Sequence, residues 1–347
     1  MRTRSGVFLV SAAAVMAACN QANPPQPKPA ANASAAARTC AELASLALPN
    51  TTLTAETVAA GAFQSPQPAF PGLGADFAKL PAFCRVAGSI KPSADSDIRF
   101  EAWLPAQGWN GKFLQTGNGG AAGSIVYTSL AEPLARGYAV ANTDTGHQGG
   151  GGDFAWAAGH PEKLTDYQYR AVHELTVVGK ALTAARYGQP PAKSYWVGCS
   201  TGGRQGLKEA QRYPDDYDAI VAGAPASNWS ALMASSILAQ KNLTGPDALG
   251  VDKLPLLKEA AIAACDATDG VVDRVIGRPA ACSFDPASLQ CAAGKKDVCL
   301  TRTEVAAAKR IYAGVVNKAG EVLFPGTGPG SEPLWGAYAS PQFSIGT

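Results

Sequence analysis

Between Ser194 and Tyr213 the chain places a serine where its hydroxyl can serve as a nucleophile. Gly198-Cys199-Ser200-Thr201-Gly202-Gly203 fits Gly-x-Ser-x-Gly, directly after the apolar run Ser194-Tyr-Trp-Val-Gly198 and before a polar helical stretch to about Tyr213. A serine between a strand and a helix stands on a strained turn with its hydroxyl above the sheet, and the flanking glycines spare the turn collisions with both elements. The backbone N–H of Thr201, at the start of that helix, is expected to face an oxyanion forming on an attacked carbonyl. A second donor is expected from a loop behind an earlier strand. Gly117-Asn118-Gly119-Gly120 follows the strand-like run Lys112-Phe-Leu-Gln-Thr116, and either Gly119 or Gly120 is the candidate.

Such a serine needs a base, normally a histidine, itself oriented by a carboxylate. The three histidines, His147, His160 and His173, all precede Ser200, whereas in strand–turn–helix hydrolases the acid and then the histidine follow the serine. His147 ends Asp144-Thr-Gly-His147 in a loop after a strand and can line a pocket. His160 sits in a Gly-His-Pro loop, and His173 lies within a long helix, where a structural role is expected. The expectation is therefore that the aspartate and histidine of the triad are absent from the chain and encoded beyond Thr347.

A second constellation is acidic. Cys265-Asp266-Ala-Thr-Asp269-Gly-Val271-Val-Asp273-Arg-Val275 holds three carboxylates within eight residues. Their repulsion opposes folding unless a hard cation such as calcium neutralises it, although the spacing is not that of an EF-hand and a solvated acidic turn is the alternative. A calcium-dependent carbohydrate-binding module would account for this loop but not for the serine turn.

The elements that must position these groups follow from periodicity. Arg99-Phe-Glu-Ala-Trp-Leu104, Lys112–Thr116, Gly137–Asn142, Ser194–Gly198 and Ala219–Gly223 read as strands. Ala171, Leu175, Val178 and Leu182 recur at helical steps between Tyr167 and Tyr187. The alternation implies an α/β protein with a parallel sheet covered on both faces. It holds over residues 40–225; residues 226–347 change to short helical runs and cysteine-clamped loops and read as part of an inserted lid.

Residues 1–19 read as a secretory signal, with Arg2 and Arg4 before an apolar stretch too short to span a bilayer. Met16-Ala-Ala-Cys19 resembles a lipoprotein cleavage box, which makes Cys19 a candidate lipid anchor at a membrane, with ordinary cleavage nearby as the alternative; residues 20–39 read as a flexible linker. An exported chain, periplasmic, secreted or lipid-anchored, can keep disulfides. Spacing suggests Cys265 with Cys282, Cys291 with Cys299, and Cys40 with Cys84, leaving Cys199 over. A formal net charge of +2 with scattered Lys and Arg gives no stripe for a phosphate backbone, so nucleic acid is not expected as a partner.

Taken together, Gly198-Cys-Ser-Thr-Gly-Gly-Arg-Gln205, Trp109-Asn-Gly-Lys-Phe-Leu114, Gly117–Gly120, Thr143-Asp-Thr-Gly-His147, Tyr169-Arg-Ala-Val-His173, Arg212-Tyr-Pro-Asp-Asp-Tyr-Asp218 and Ala222-Gly-Ala-Pro225 resemble the tannase and feruloyl esterase family, which also includes mono(hydroxyethyl) terephthalate hydrolase. The resemblance implies an α/β-hydrolase fold with an inserted lid, here truncated at the C-terminus. It implies a serine carboxylesterase acting on a small aromatic ester, such as a galloyl, feruloyl or similar phenolic ester. Ser200 is then the nucleophile, with the N–H of Thr201 and of Gly119 or Gly120 as oxyanion donors. The resemblance pairs Cys199 with a cysteine directly after the catalytic histidine, a partner missing from the chain. It makes the acidic loop a structural calcium site, with side chains of Asp266, Asp269 and Asp273 and carbonyls of Val271 and Val275 as ligands. The alternative is an inactive truncated remnant or a surface-tethered binding protein, because no histidine follows Ser200.

Overall fold

A computed structural model describes residues 36–67, 74–245, 247–292 and 298–340. Residues 1–35, on which the readings of a signal, a lipid-anchored Cys19 and most of a linker fall, lie outside the described residues. Seven strands form one mixed sheet in the order β1-β2-β3-β5-β4-β6-β7. They are β1 (Thr51–Val58), β2 (Phe83–Ile90), β3 (Ile98–Pro105), β4 (Lys112–Thr116), β5 (Ala139–Thr143), β6 (Lys193–Cys199) and β7 (Ala219–Gly223). The helices of this part are α1 (Cys40–Leu43), α2 (Tyr127–Ala135), α3 (Pro161–Thr165), α4 (Ala171–Tyr187) and α5 (Thr201–Arg212).

The expected parallel pairing holds for β5, β4, β6 and β7, whereas β1, β2, β3 and β5 pair antiparallel. The sheet is therefore mixed rather than parallel throughout. β1 reads Thr-Thr-Leu-Thr-Ala-Glu-Thr-Val, whose inward positions include only one large aliphatic before Val58, so apolar alternation alone marks it weakly.

Pleating sends alternate residues of β3 to opposite faces. Phe100, Ala102 and Leu104 join Phe113, Ala141 and Trp196 in one buried cluster, completed by Ala171, Leu175, Val178 and Leu182 of α4. Trp103 points the other way and packs with Phe63, Phe83, Val140 and the Tyr127, Leu130 and Leu134 side chains of α2. Between them Glu101 is buried in the same strand, a costly placement for a charge unless it is fully paired. It accepts from Arg85 Nε at 2.8 Å, from Trp103 Nε1 at 2.8 Å and from the Tyr127 hydroxyl at 3.0 Å. Burial, with the Glu101 charge second, pushes the Tyr127 phenol up to about 12.

Beyond β7 come α6 (Trp229–Thr244), α7 (Leu254–Cys265) and α8 (Arg302–Ala313). They share a third apolar cluster, with Leu243, Leu257, Leu300, Ile311 and Trp335 buried together. Thr301 starts α8 with a reciprocal capping box to Glu304. Disulfides join Cys40 to Cys84, Cys265 to Cys282 and Cys291 to Cys299. Cys199 is a free, exposed thiol.

Among the described residues β7 pairs with β6 alone, so its outer edge carries unpaired backbone groups. Val221 on β7 is 59% exposed and Val197 on β6 is 42% exposed, an apolar face unusual for the parallel part of a sheet. The expected outcome is self-association through this edge with Cys199 nearby. Purified chain exposed to air should run as a covalent dimer on a non-reducing gel, and Cys199→Ser should abolish that band. A wild-type chain that stays monomeric in air and in light scattering would count against it.

Candidate active site

The chain leaves β4 toward β5 on one side and leaves β6 toward β7 on the other, although β4 and β6 are neighbours. This is a topological switch point, where the loops at the carboxyl ends of parallel strands part and open a crevice. The two loops that part here are 117–120 and the Ser200 turn, so the topology brings together the two segments that the sequence singles out.

Ser200 has φ 60° and ψ −118°, a backbone conformation that side-chain-bearing residues rarely adopt. The turn is held by its own backbone: the Ser200 N–H donates to the Gly223 carbonyl at 3.1 Å, and the Ser200 carbonyl accepts from Arg204 and Ala226 N–H groups, each at 3.0 Å. A Cβ on Gly198 would lie 2.5 Å from the Gly202 carbonyl oxygen, and one on Gly203 2.3 Å from that of Gly223. Both positions therefore demand glycine because backbone from the next element occupies the space.

The 117–120 loop is bolted to α5, the helix that Ser200 precedes. Gly202 N–H donates to the Asn118 carbonyl at 2.8 Å, and Gly117 N–H to that of Val197 at 2.9 Å. The Gln205 side-chain amide accepts from Asn118 N–H and donates to Asn118 Oδ1, both at 3.1 Å. Asn118 Nδ2 in turn donates to the Thr143 carbonyl at 2.7 Å. The Thr201 hydroxyl donates to the Gly120 carbonyl at 2.5 Å. The Thr201 N–H, first of α5, has no backbone acceptor and remains available, and Gly120 borders the same cavity as Ser200 and Thr201 while Gly119 does not. Asn118 and Gln205 thus fix the loop against α5, a positioning role that motif reasoning passes over although both stand inside the quoted motifs.

The histidines are each committed elsewhere. His147 is buried, stacks on Trp156 with ring centroids 3.7 Å apart, and donates from Nε2 to the Ala121 carbonyl at 2.9 Å. It therefore braces the loop that carries Gly120. Burial pulls its pKa down to about 4, so the ring is neutral at pH 7. Nearby Asp144 accepts N–H bonds from Arg99 and Gly146, yet burial raises its pKa to about 7. His160 meets Asp95 at 2.9 Å and His173 meets Asp216 at 2.7 Å. Among the described residues no histidine is hydrogen-bonded to Ser200.

Ser200, Thr201 and Gly120 open on a cavity of about 350 Å³ whose walls include Phe154, Trp229, Leu232 and Met233, with no charged side chain in its lining. Volume and lining suit a small apolar ligand with a few polar atoms. Behind the wall the Arg204 guanidinium lies 4.7 Å from the Tyr167 ring centroid and 5.3 Å from that of Trp229.

The acidic loop has a donor chemistry that fits a hard cation, carboxylates within a disulfide-closed segment. Each carboxylate also binds the loop's own backbone: Asp266 Oδ1 accepts from Arg274 N–H at 2.9 Å, Asp269 from Val271 and Gly277, and Asp273 from Val275. These bonds, with that of Val271 first, hold the Asp269 carboxyl below its usual range, favouring the ionised ligand form. Val271 and Val275 are exposed.

A serine on a strained strand–helix turn at the switch point of a mixed α/β sheet defines an α/β-hydrolase fold. The family described as tannase and feruloyl esterase matches residues 84–342, and the chain belongs to it. An uncharacterized esterase of Xanthomonas campestris pv. campestris is 43% identical over 303 residues, 86% of this chain and 51% of the relative. The Aspergillus oryzae protein named probable feruloyl esterase B-2 is 40% identical over 256 residues, 72% of this chain and 48% of the relative. The crystal structure of feruloyl esterase B from Aspergillus oryzae superposes with TM-score 0.76 at 33% identity, covering 88% of this chain and 62% of that one. That of tannin acyl hydrolase from Aspergillus niger gives TM-score 0.64 at 28% identity, covering 84% and 57%. The chain spans about half the length of the curated relatives it matches.

His147 and Asp144 titrate in opposite senses. Unfolded histidine takes a proton near pH 6.5 but buried His147 only near 4, so acidification through that window favours unfolding. Asp144 holds its proton up to about 7 when folded, so acidification from there favours the fold. A His147→Gln variant loses the first effect and keeps the second. Relative to the wild type its unfolding free energy should gain about 2 kcal/mol between pH 7 and pH 5. Denaturant melts of the two proteins at both pH values test this, and parallel pH profiles would exclude it.

Proposed function

We propose that the protein is a serine carboxylesterase for small aromatic esters of the galloyl or feruloyl type. The observation that carries the reading is Ser200, held at φ 60° on its turn and facing the cavity. In this mechanism the Ser200 hydroxyl attacks the ester carbonyl, and the oxyanion accepts from the N–H groups of Thr201 and Gly120. The alcohol leaves, an acyl-enzyme forms, and water releases the acid. The uncharged lining of Phe154, Trp229, Leu232 and Met233 supports an aromatic acyl group, which gains from offset or edge packing on such rings.

His147, His160 and His173 are each committed elsewhere, and this reading assigns the base to a further histidine oriented by an aspartate. Cys199 would then pair with a cysteine beside that histidine and tie nucleophile to base. The domain reading divides the chain into a hydrolase core over 40–225 and part of a lid over 226–347, the lid supplying Trp229 and Leu232 to the cavity. Export, with Cys19 as a lipid attachment, completes the reading. Three disulfides support an oxidising compartment, and no helix among the described residues is long and apolar enough to cross a membrane.

A fluorophosphonate should label Ser200 in a form of the protein that carries the assigned histidine, and that form should release ferulate or gallate from the corresponding methyl esters. Ser200→Ala should lose the label and at least about 1,000-fold in kcat/KM. Equal hydrolysis by the two proteins would refute the assignment. Calcium in the acidic loop is tested separately. Terbium should bind with sensitised emission and be displaced by calcium, and Asp269→Asn should weaken it; binding unchanged in that variant would place the ion elsewhere.

A further inference from the structure

His173 on α4 is far in sequence from Glu209 on α5 and Asp216 in the turn just beyond α5. One ligand-capable atom of each nevertheless lies within 4.8 Å of the other two, and among the described residues no other trio of His, Cys, Asp or Glu comes this close. The His173 ring is fixed by stacking on Tyr213, centroids 3.8 Å apart and 10° from parallel, with Nδ1 2.7 Å from Asp216 Oδ2.

Glu209 is the anomaly. Its side chain has no solvent exposure, and neither carboxylate oxygen has a hydrogen-bond partner. A buried carboxylate in that state is destabilising unless a proton or a cation neutralises it. The groups around it are already engaged. Lys180 donates to the Asp216 main-chain carbonyl and lies over the Tyr217 ring at 5.8 Å. The Tyr217 hydroxyl is bound to Thr176 Oγ1 at 2.6 Å.

We propose that His173, Glu209 and Asp216 form a binding site for a divalent transition cation of the zinc class. One imidazole and two carboxylates suit zinc or cobalt, whereas calcium and magnesium favour all-oxygen shells. Bonds of about 2.0–2.1 Å put tetrahedral ligand atoms roughly 3.3 Å apart, so small side-chain rotations close the trio, and water takes the fourth position. The His173 and Asp216 side chains keep 29% and 14% of their surface exposed, which gives the ion a way in. The Lys180 ammonium acts on Glu209, and its single charge beside two ionised carboxylates leaves a net negative charge for the metal. This site makes no use of Ser200 and stands independently of the esterase reading.

The test is a cobalt titration of the chelator-stripped chain in a Cys199→Ser background, which removes the free thiol. A visible d–d absorption should saturate at one equivalent and be abolished by zinc. Glu209→Gln, which keeps the shape of the side chain, and His173→Asn should each weaken binding at least about 100-fold, beyond what loss of a second-shell partner costs. Asp269→Asn, in the acidic loop, should leave the cobalt spectrum unchanged. If the first two variants fail to fold, the Asp269→Asn protein decides: zinc should raise its thermal midpoint by several degrees. No band at millimolar cobalt, equal affinity in Glu209→Gln, or no zinc-dependent shift would overturn the proposal and leave a proton shared between Glu209 and Asp216.

Discussion

The structure depends on the close backbone approach between the Ser200 turn and its neighbours on both sides. Ser200 sits in a conformation that costs on the order of 1–3 kcal/mol, and it persists because surrounding contacts leave the turn no alternative. Gly203 lies against the Gly223 carbonyl, Gly198 against that of Gly202, and Gly117 against the Gly202 Cα. Each approach removes the space for a side chain, so β4, β6, β7 and α5 converge on one point. The Asn118–Gln205 amide pair converts that convergence into a fixed register. The loop and the Ser200 turn are then held in one fixed register, which is the condition that aimed oxyanion donors would require.

Rigidity at the site is bought with buried polar groups farther back. His147 braces the Gly120 loop through the Ala121 carbonyl, and Asp144 ties the following turn to β3 through Arg99 and Gly146 N–H groups. Both are buried far enough that their charged forms are disfavoured, in opposite directions of pH. The Glu101 cluster does the same for the antiparallel flank: one carboxylate accepts from Arg85, Trp103 and Tyr127 and joins β2, β3 and α2. Fully satisfied networks of this kind specify a unique arrangement, because any slip strands a charge in the core.

Much of this was legible in the residues. The strands Lys112–Thr116 and Ala219–Gly223 have the expected boundaries, and α4 follows the spacing of Ala171, Leu175, Val178 and Leu182. β1 and the long-range partners were not. Thr-rich strands with small inward residues carry little periodic signal, and their pairing with β2 depends on register across the sheet. The choice between Gly119 and Gly120 likewise turns on a loop path that sequence does not encode locally, since only Gly120 reaches the cavity. The reciprocal bond between Asn118 and Gln205 spans 87 residues, and the trio of His173, Glu209 and Asp216 spans three elements. Motif spacing cannot register contacts of that range.

Arg204 links the Ser200 turn to the shape of the cavity. It stands four residues beyond Ser200 on α5, and its guanidinium lies against both Tyr167, ahead of α4, and Trp229, the first residue of α6. Its Nε and Nη2 have no hydrogen-bond partner, so the aromatic faces are what hold the cation there, an attraction that strengthens as water is excluded. Trp229 is also a wall of the cavity. A displacement of α6 therefore takes the Trp229 face away from a cation on the helix that follows Ser200, and the loss of that contact opposes an opening of the cavity that moves α6 alone. The arginine of Gly-Gly-Arg-Gln is thereby a structural extension of the serine turn: it ties Trp229, a wall of the cavity, to the helix that Ser200 precedes.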